Sequence, residues 1–355
     1  MTTDHLGALR AACGCEWPQL AECESAAASQ LSKIESALNR ILPADTAFVA
    51  FGSLARGEWT DGSDLDWTLL VDGQANRTHL PAAQKIRTKL EGELDIKPPG
   101  PSALFGGPSF SHELIHRIGG DADSNRNTTR RILLLLESIS LEDGREVRER
   151  VLRQLVRRYI GDDHVYRLRT ELKPYVPGLL LNDFVRFWRT MAVDFASKRL
   201  ERQGDGWALR RFKLRMSRKL LFLAGLAACL SCRLRPSDAL SKAGGSDEVF
   251  CNALTEELMT SVDSRPLEVL ARLVGEFQAL DAGRDLFGAY DEFLGILADT
   301  DQRAELERLD ADSAPTDPLF QRTDQIAKRF RDGALKLFFD TDDQLTKLTQ
   351  QYGVF

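Results

Sequence analysis

The stretch Phe51-Gly52-Ser53-Leu54-Ala55-Arg56-Gly57-Glu58-Trp59-Thr60-Asp61-Gly62-Ser63-Asp64-Leu65-Asp66-Trp67 decides how this chain is read. Ala47 to Phe51 is a short apolar run that Gly52-Ser53 breaks. Such a run predicts a buried strand ending in a turn. Leu54 to Gly62 reads as a connection of small and charged residues, and Asp66 to Val71 as a second strand closed by Asp72-Gly73. Asp64 and Asp66 therefore stand two residues apart at the start of a strand, where period-2 geometry turns both to one face. Carboxylates that close repel each other, and a divalent cation between them relieves the repulsion. Hard oxygen donors of this kind suit Mg²⁺, which keeps several waters and bridges to phosphate. Gly52 lets backbone approach a ligand closely. Ser53 adds a hydroxyl and an N–H for phosphate oxygens. Arg56, one turn further on, is a second phosphate-seeking group.

Working outward, residues 20–41 predict a helix with Leu31, Ile34, Leu38 and Ile41 at helical spacing, stopped by Pro43. Residues 79–93 predict another, with Leu80, Ile86 and Leu90 on its core side. Leu94-Asp95-Ile96-Lys97 predicts a third strand, ended by Pro98-Pro99-Gly100. Residues 100–127 read as loop, on the strength of Gly106-Gly107-Pro108 and Gly119-Gly120. From Thr128 helical periodicity dominates, with breaks at Pro174, Pro177, Gly204–Gly206, Pro236 and Gly244-Gly245. The expected fold class is α/β (α+β), a domain with a small mixed sheet followed by a larger all-α domain. The expected boundaries are 1–42 for an N-terminal helical segment packing on the catalytic domain, 43–141 for that domain, and 142–355 for the helical domain.

The net charge of −6 and pI of about 5.6 argue against a partner of duplex DNA or RNA, which draws a basic surplus. Ile132–Leu136 and Leu220–Leu230 are the longest apolar runs, well short of the roughly 20 residues that span a bilayer. Met1 to Arg10 lacks a basic n-region followed by an apolar run. The expectation is a cytoplasmic chain with no membrane partner. Cys229 and Cys232 form a C-x-x-C, but within an apolar helical run, so core thiols in a reducing compartment are expected.

A phosphate cradle set a short helix away from paired carboxylates is the layout that nucleotidyl transfer needs. Here the chain resembles the DNA polymerase β-like nucleotidyltransferase superfamily. The pattern is a hydrophobic residue, Gly, then Gly or Ser, a gap of about ten, and Asp-hydrophobic-Asp-hydrophobic. Phe51-Gly52-Ser53 and Asp64-Leu65-Asp66-Trp67 match it throughout. The words Gly-Ser-Leu-Ala-Arg-Gly and Ser-Asp-Leu-Asp look most like its bacterial branch of protein uridylyl- and adenylyltransferases and stand-alone domains. The resemblance implies an NTP substrate, with ATP favoured. It also implies two Mg²⁺ ions, with Mn²⁺ as the substitute, on Asp64, Asp66 and a third carboxylate. Leu94-Asp95-Ile96 supplies Asp95 for that place, with Glu93 and Glu113 as fallbacks. The catalytic and metal-binding set is thus Asp64, Asp66 and Asp95. The nucleotide-binding set is Gly52, Ser53, Arg56 and Ser63, joined by Lys213 and Lys219 from the helical region.

Three other patterns compete. His112-Glu113-Leu114-Ile115-His116 is H-E-x-x-H, which on a helix suits zinc, with Glu137 available as a third ligand. Between Gly106-Gly107-Pro108 and Gly119-Gly120 it has room for barely three turns, so a short polar helix is the preferred reading. Asn125 to Arg131 precedes an apolar helix, with Thr128 as the expected N-cap and Arg130 and Arg131 as a possible anion site or plain surface charge. Trp207 to Phe222 holds Arg210, Arg211, Lys213, Arg215, Arg218 and Lys219 without an acid. It reads as a basic helix face, solvated or turned to a triphosphate. The expected reaction is NMP transfer to a protein or small-molecule hydroxyl. A phage-defence second-messenger synthase, a non-catalytic nucleotide-binding module and, last, an H-E-x-x-H zinc metalloprotease are the alternatives.

Overall fold

The computed structural model describes residues 4–100, 104–166, 173–201, 206–243 and 246–353. In chain order the elements are α1 (His5–Cys13), α2 (Pro18–Leu38), β1 (Thr46–Phe51), α3 (Gly52–Arg56), β2 (Trp67–Val71), α4 (His79–Thr88), β3 (Gly107–Phe110), α5 (Ser111–His116), α6 (Asn125–Leu136), β4 (Ser138–Ser140) and α7 (Arg145–Tyr166). There follow α8 (Gly178–Glu201), α9 (Trp207–Lys213), α10 (Lys219–Leu234), α11 (Asp238–Lys242), α12 (Asp247–Val262), α13 (Pro266–Glu276), α14 (Leu280–Ala298), α15 (Thr300–Arg308), α16 (Pro318–Leu335) and α17 (Asp343–Gly353). A small mixed sheet with helices thus gives way to a long all-helical region, as the fold class required. The expected breaks at Gly204 and at Gly244-Gly245 lie outside the described residues.

The chain forms two compact units. One holds Cys23–Thr170 and Gly245–Arg265, the other Met1–Glu22, Glu171–Gly244 and Pro266–Phe355. This differs from a division at 42 and 142. Residue 142 falls inside the sheet unit because α7 packs on β1 and α5, and α12 packs on α7. The first 22 residues belong to the helical unit, where α1 packs on α13 and α14.

In the sheet unit the strand order is β3-β2-β1-β4. β1 is antiparallel to β2, with Ala50 opposite Trp67, and to β4, with Phe51 opposite Ser138. β3 runs parallel to β2, with Thr68 beside Gly107. Phe48, Ala50, Leu65, Trp67, Leu69 and Val71 share one core with Ile34 and Leu38 of α2 and Ile86 of α4. Their alternation along β1 and β2 is the period-2 pattern that leaves Asp64 and Asp66 off this core.

Two expectations fail here. Leu80 is 66% exposed, and His79, Ala82 and Ala83 are the buried residues of α4 beside Ile86. Leu94 to Lys97 is not a strand. The helix runs on through a π-helical turn, Lys89–Glu93, and the Leu94 N–H closes it onto the Lys89 carbonyl at 3.1 Å. Asp95 then takes φ +51°, and one bond, Leu65 N–H to the Lys97 carbonyl at 3.3 Å, replaces a ladder. The strand beside β2 is instead β3, in the stretch read as loop. Pro108 sits there without penalty because β3 is an edge strand and needs no donor on its free side.

Among the described residues no helix is long and apolar enough to cross a membrane. Cys229 and Cys232 are buried in α10, and Cys13 and Cys23 are buried as well.

Candidate active site at the end of β1 and β2

The β1–β2 ladder continues past the strand ends. The Phe51 N–H donates to the Asp66 carbonyl at 2.9 Å, which fixes Asp66 beside the Phe51-Gly52 turn. Gly52 has φ +67°, in the left-handed region that a side chain disfavours. A Cβ at Gly52 would meet Asp66 Oδ2 at 3.6 Å. The Asp66 carboxylate therefore lies directly against the glycine that opens α3. Burial alternates along the approach: Ser63, Leu65 and Trp67 are buried, Asp66 is half-buried and Asp64 is exposed. Leu65 and Trp67 anchor the segment in the core, while Asp64 and Asp66 lie off it.

The connection between Ser53 and Asp64 is a built scaffold. Gly57 ends α3 at φ +73°, a conformation that favours glycine, and the movable end of the Arg265 side chain lies over it, 2.8 Å from where a Cβ would stand. Arg56 is 8% exposed and bonds to two buried carboxylates, Glu58 through Nε at 2.8 Å and Glu137 through Nη1. Its guanidinium is committed to this pair and braces the turn instead of projecting to a phosphate. Ser63 is likewise occupied: its Oγ accepts from the Thr60 N–H at 3.1 Å and lies 3.2 Å from the Thr60 hydroxyl. It shapes the turn that delivers Asp64. Ser53 is half-buried, and its carbonyl accepts from the Glu58 N–H at 2.7 Å.

Asp95 is exposed in the coil that replaces the expected third strand. β3, which does lie beside β2, carries Gly107, Pro108, Ser109 and Phe110 and no carboxylate. Among the described residues no three His, Cys, Asp or Glu side chains are gathered to hold a metal. Glu93 is exposed and bonds to Lys89 at 3.0 Å; Glu113 faces Arg117 at 3.6 Å. Asp64, exposed, and Asp66, half-buried, are hard-oxygen donors. That donor set fits a divalent cation that retains waters and takes its remaining ligands from phosphate.

The competing patterns resolve into local structure. α5 is a six-residue helix in which the His112 and His116 rings lie 4.6 Å apart, and Glu137 is held by Arg56. α6 begins earlier than expected: Ser124 is its N-cap, accepting from the Asn127 N–H at 3.2 Å, and Thr128 is inside the helix. Arg131 is fully buried, paired to both Asp123 oxygens at 3.1 and 2.9 Å and to the Tyr159 hydroxyl at 2.6 Å. Arg130 Nε donates to the Leu104 carbonyl at 2.8 Å, and burial followed by the charge of Arg126 holds its guanidinium below its usual range. Arg130 also lines a cavity of about 10 Å³ with Phe51, Thr68, Phe105 and Ser109, on the other side of the sheet from the shared core. Lys213 and Lys219 belong to the helical unit. Sequence reading missed Glu58 and Glu137 as Arg56's partners. Glu58 at two residues' spacing was a readable signal, whereas Glu137 lies 81 residues away and was not.

Residues 31–102 match the family model of the nucleotidyltransferase domain. The match is consistent with a polymerase β-like nucleotidyltransferase superfamily. The match takes in β1, α3, β2 and α4 and stops short of β3. No curated protein and no solved structure matches the chain. A nucleotidyltransferase domain supports transfer of a nucleoside monophosphate in general terms and implies an NTP substrate; the family generally uses divalent metals.

Proposed function

We propose that the chain transfers an NMP from an NTP, with ATP favoured, to a hydroxyl of a protein or small-molecule acceptor, in a Mg²⁺-dependent reaction. The observation that carries this reading is the seat of the Asp66 carboxylate against Gly52, which puts an acid and the open backbone of the Gly52-Ser53 turn at one point. Asp64 and Asp66 would hold Mg²⁺, which supplies charge neutralisation of the triphosphate and of the oxygens that gain charge on transfer. The backbone at Gly52 and Ser53, together with the Ser53 hydroxyl, would orient the β- and γ-phosphates. Arg56, Glu58, Glu137 and Ser63 keep the turn rigid, which matters because most catalysis of phosphoryl transfer is positioning and electrostatics. Asp95, in the exposed coil after α4, is the third carboxylate that the family resemblance would add to this pair.

The test is to incubate the full chain with each α-labelled NTP and Mg²⁺, with and without cell lysate. Label is expected on a protein band or a small product, and Asp64→Ala with Asp66→Ala should abolish it. Labelling that survives the double substitution refutes the site.

A further inference from the structure

The helical unit carries a second charged feature, one that includes Lys219 of the expected nucleotide-binding set. Arg211, Arg215 and Lys219 recur at four-residue spacing along α9, the π-helical turn Leu214–Arg218, and the start of α10. α16 packs beside this row. Trp207 stacks on Phe320, with ring centroids 5.7 Å apart, at one end of the contact. One turn on, Arg211 and Arg215 both bond to the same oxygen of Asp324. Beyond them, Arg215, Lys219 and Arg331 are close enough for each to act on another's charge. The Arg211 guanidinium lies 5.0 Å from the Phe320 ring centroid, which holds it in place.

The charges along this seam do not balance. Two arginines share Asp324, and Arg331 bonds to its own neighbour Asp332 at 2.8 and 3.0 Å. Lys219 is half-buried and has no carboxylate partner among the described residues. Burial, then the charges of Arg215 and Arg331, hold its ammonium below its usual range. Burial pushes the Asp324 carboxyl up, but its bonds to Arg211 and Arg215 outweigh that and hold it below the usual range. Like charges gathered in a partly desolvated place call for an anion. The π-helical turn is the kind of irregularity that recurs at functional sites, since it re-aims side chains at some cost to the helix. From Arg211 to Lys219 the row runs about 12 Å at about 1.5 Å per residue. That length matches several linked phosphates better than a single small anion.

We propose that the α9–α16 seam binds a chain of linked phosphates, with Arg215 and Lys219 as the central contacts and Arg211 and Arg331 flanking them. The chemistry has two sources, a free polyphosphate and the backbone of a single-stranded nucleic acid.

The test uses the full chain in EDTA, which removes metal-dependent binding elsewhere. Tripolyphosphate is titrated by calorimetry, and a fluorescent single-stranded oligonucleotide about a dozen nucleotides long by anisotropy over a range of salt. At least one is expected to bind at low salt, and which one binds identifies the source. Arg215→Ala with Lys219→Ala should weaken binding about tenfold or more. For the oligonucleotide it should also reduce the salt slope by about 1.4, at about 0.7 per lost contact. Arg331→Ala, an exposed change that leaves packing intact, should produce a smaller loss. Asp324→Asn removes the internal competitor and should tighten binding, an effect that a merely structural role would not produce. Asp64→Ala with Asp66→Ala should leave binding unchanged. The proposal is overturned if neither ligand binds, or if the double variant and Arg331→Ala bind as the parent does.

Discussion

The end of β2 and the α9–α16 seam each crowd charges of one sign, and they do it by different means. At β2 the acids are neighbours in sequence: Asp64 and Asp66 stand two residues apart, just before the strand begins at Trp67. At the seam, helix spacing aligns the cations, and the carboxylate that partly answers them, Asp324, lies 109 and 113 residues from Arg215 and Arg211. A third cluster separates the two meanings of charge. Arg56, Glu58 and Glu137 sit buried together and hold the turn, so proximity alone does not mark a ligand site. What sets the start of β2 and the seam apart from that cluster is that their charged side chains lie exposed or half-buried.

The largest effect is expected where charge is internal. Arg56→Ala leaves Glu58 and Glu137 buried without that cation, and breaking such a pair costs about 3–5 kcal/mol. Chemical denaturation should show the loss, together with loss of transfer. A variant as stable as the parent would erase the distinction between bracing charge and site charge.

Next come the site carboxylates. Asp64→Asn and Asp66→Asn should each lower the rate of NMP transfer by about 10²–10³-fold, the range for removing one preorganised electrostatic group, with little change in stability. Asp95→Asn, at an exposed coil position, should cost far less. Rate measurements at saturating Mg²⁺-NTP rank the three. A loss at Asp95 equal to that at Asp64 would restore Asp95 to the catalytic set.

These contrasts follow what local sequence can and cannot carry. β1 and β2 were legible because strand period and a glycine break are properties of neighbouring residues. The Leu94–Lys97 strand was misread for the same reason. Apolar alternation there was real, but the π-turn after α4 and the φ of Asp95 turn the chain away, and β3 forms from residues whose Gly and Pro suggested a loop. Leu80 shows the limit within a helix: its spacing fits the buried stripe, yet Ala82 and Ala83 pack and Leu80 faces out. Arg56 and Arg131 looked available for anions because their carboxylate partners, at positions 137 and 123, are supplied by the fold.

A smaller effect probes the backbone of the corner. Gly52→Ala introduces no clash, since Asp66 Oδ2 at 3.6 Å is ordinary contact for a Cβ, but φ +67° should cost about 1–2 kcal/mol. The loss should be larger than that of an Ala substitution at Gly161, which lies within α7 in open space and should gain about 0.5–1 kcal/mol. Equal effects at the two sites would mean that the Gly52 conformation is not held in solution.

The smallest expected effect belongs to the seam and has a definite sign. Asp324 titrates below its usual value in the fold, so its charged form is favoured over that in the unfolded chain. A depressed carboxyl contributes stability above the ordinary value of about 3.9, and the contribution disappears as pH falls through the lower folded value. Partly exposed pairs of this kind are worth about 0–1 kcal/mol. The comparison to make is the parent against Asp324→Asn, because other carboxyls titrate in both and cancel. At pH 6 the parent should be the more stable, and the difference in Tm should shrink towards zero as pH drops below about 3.9. High salt should narrow it at any pH. A difference independent of pH would mean that Arg211 and Arg215 do not use the charge of Asp324, and the surplus at the seam would then have to be counted differently from the one at β2.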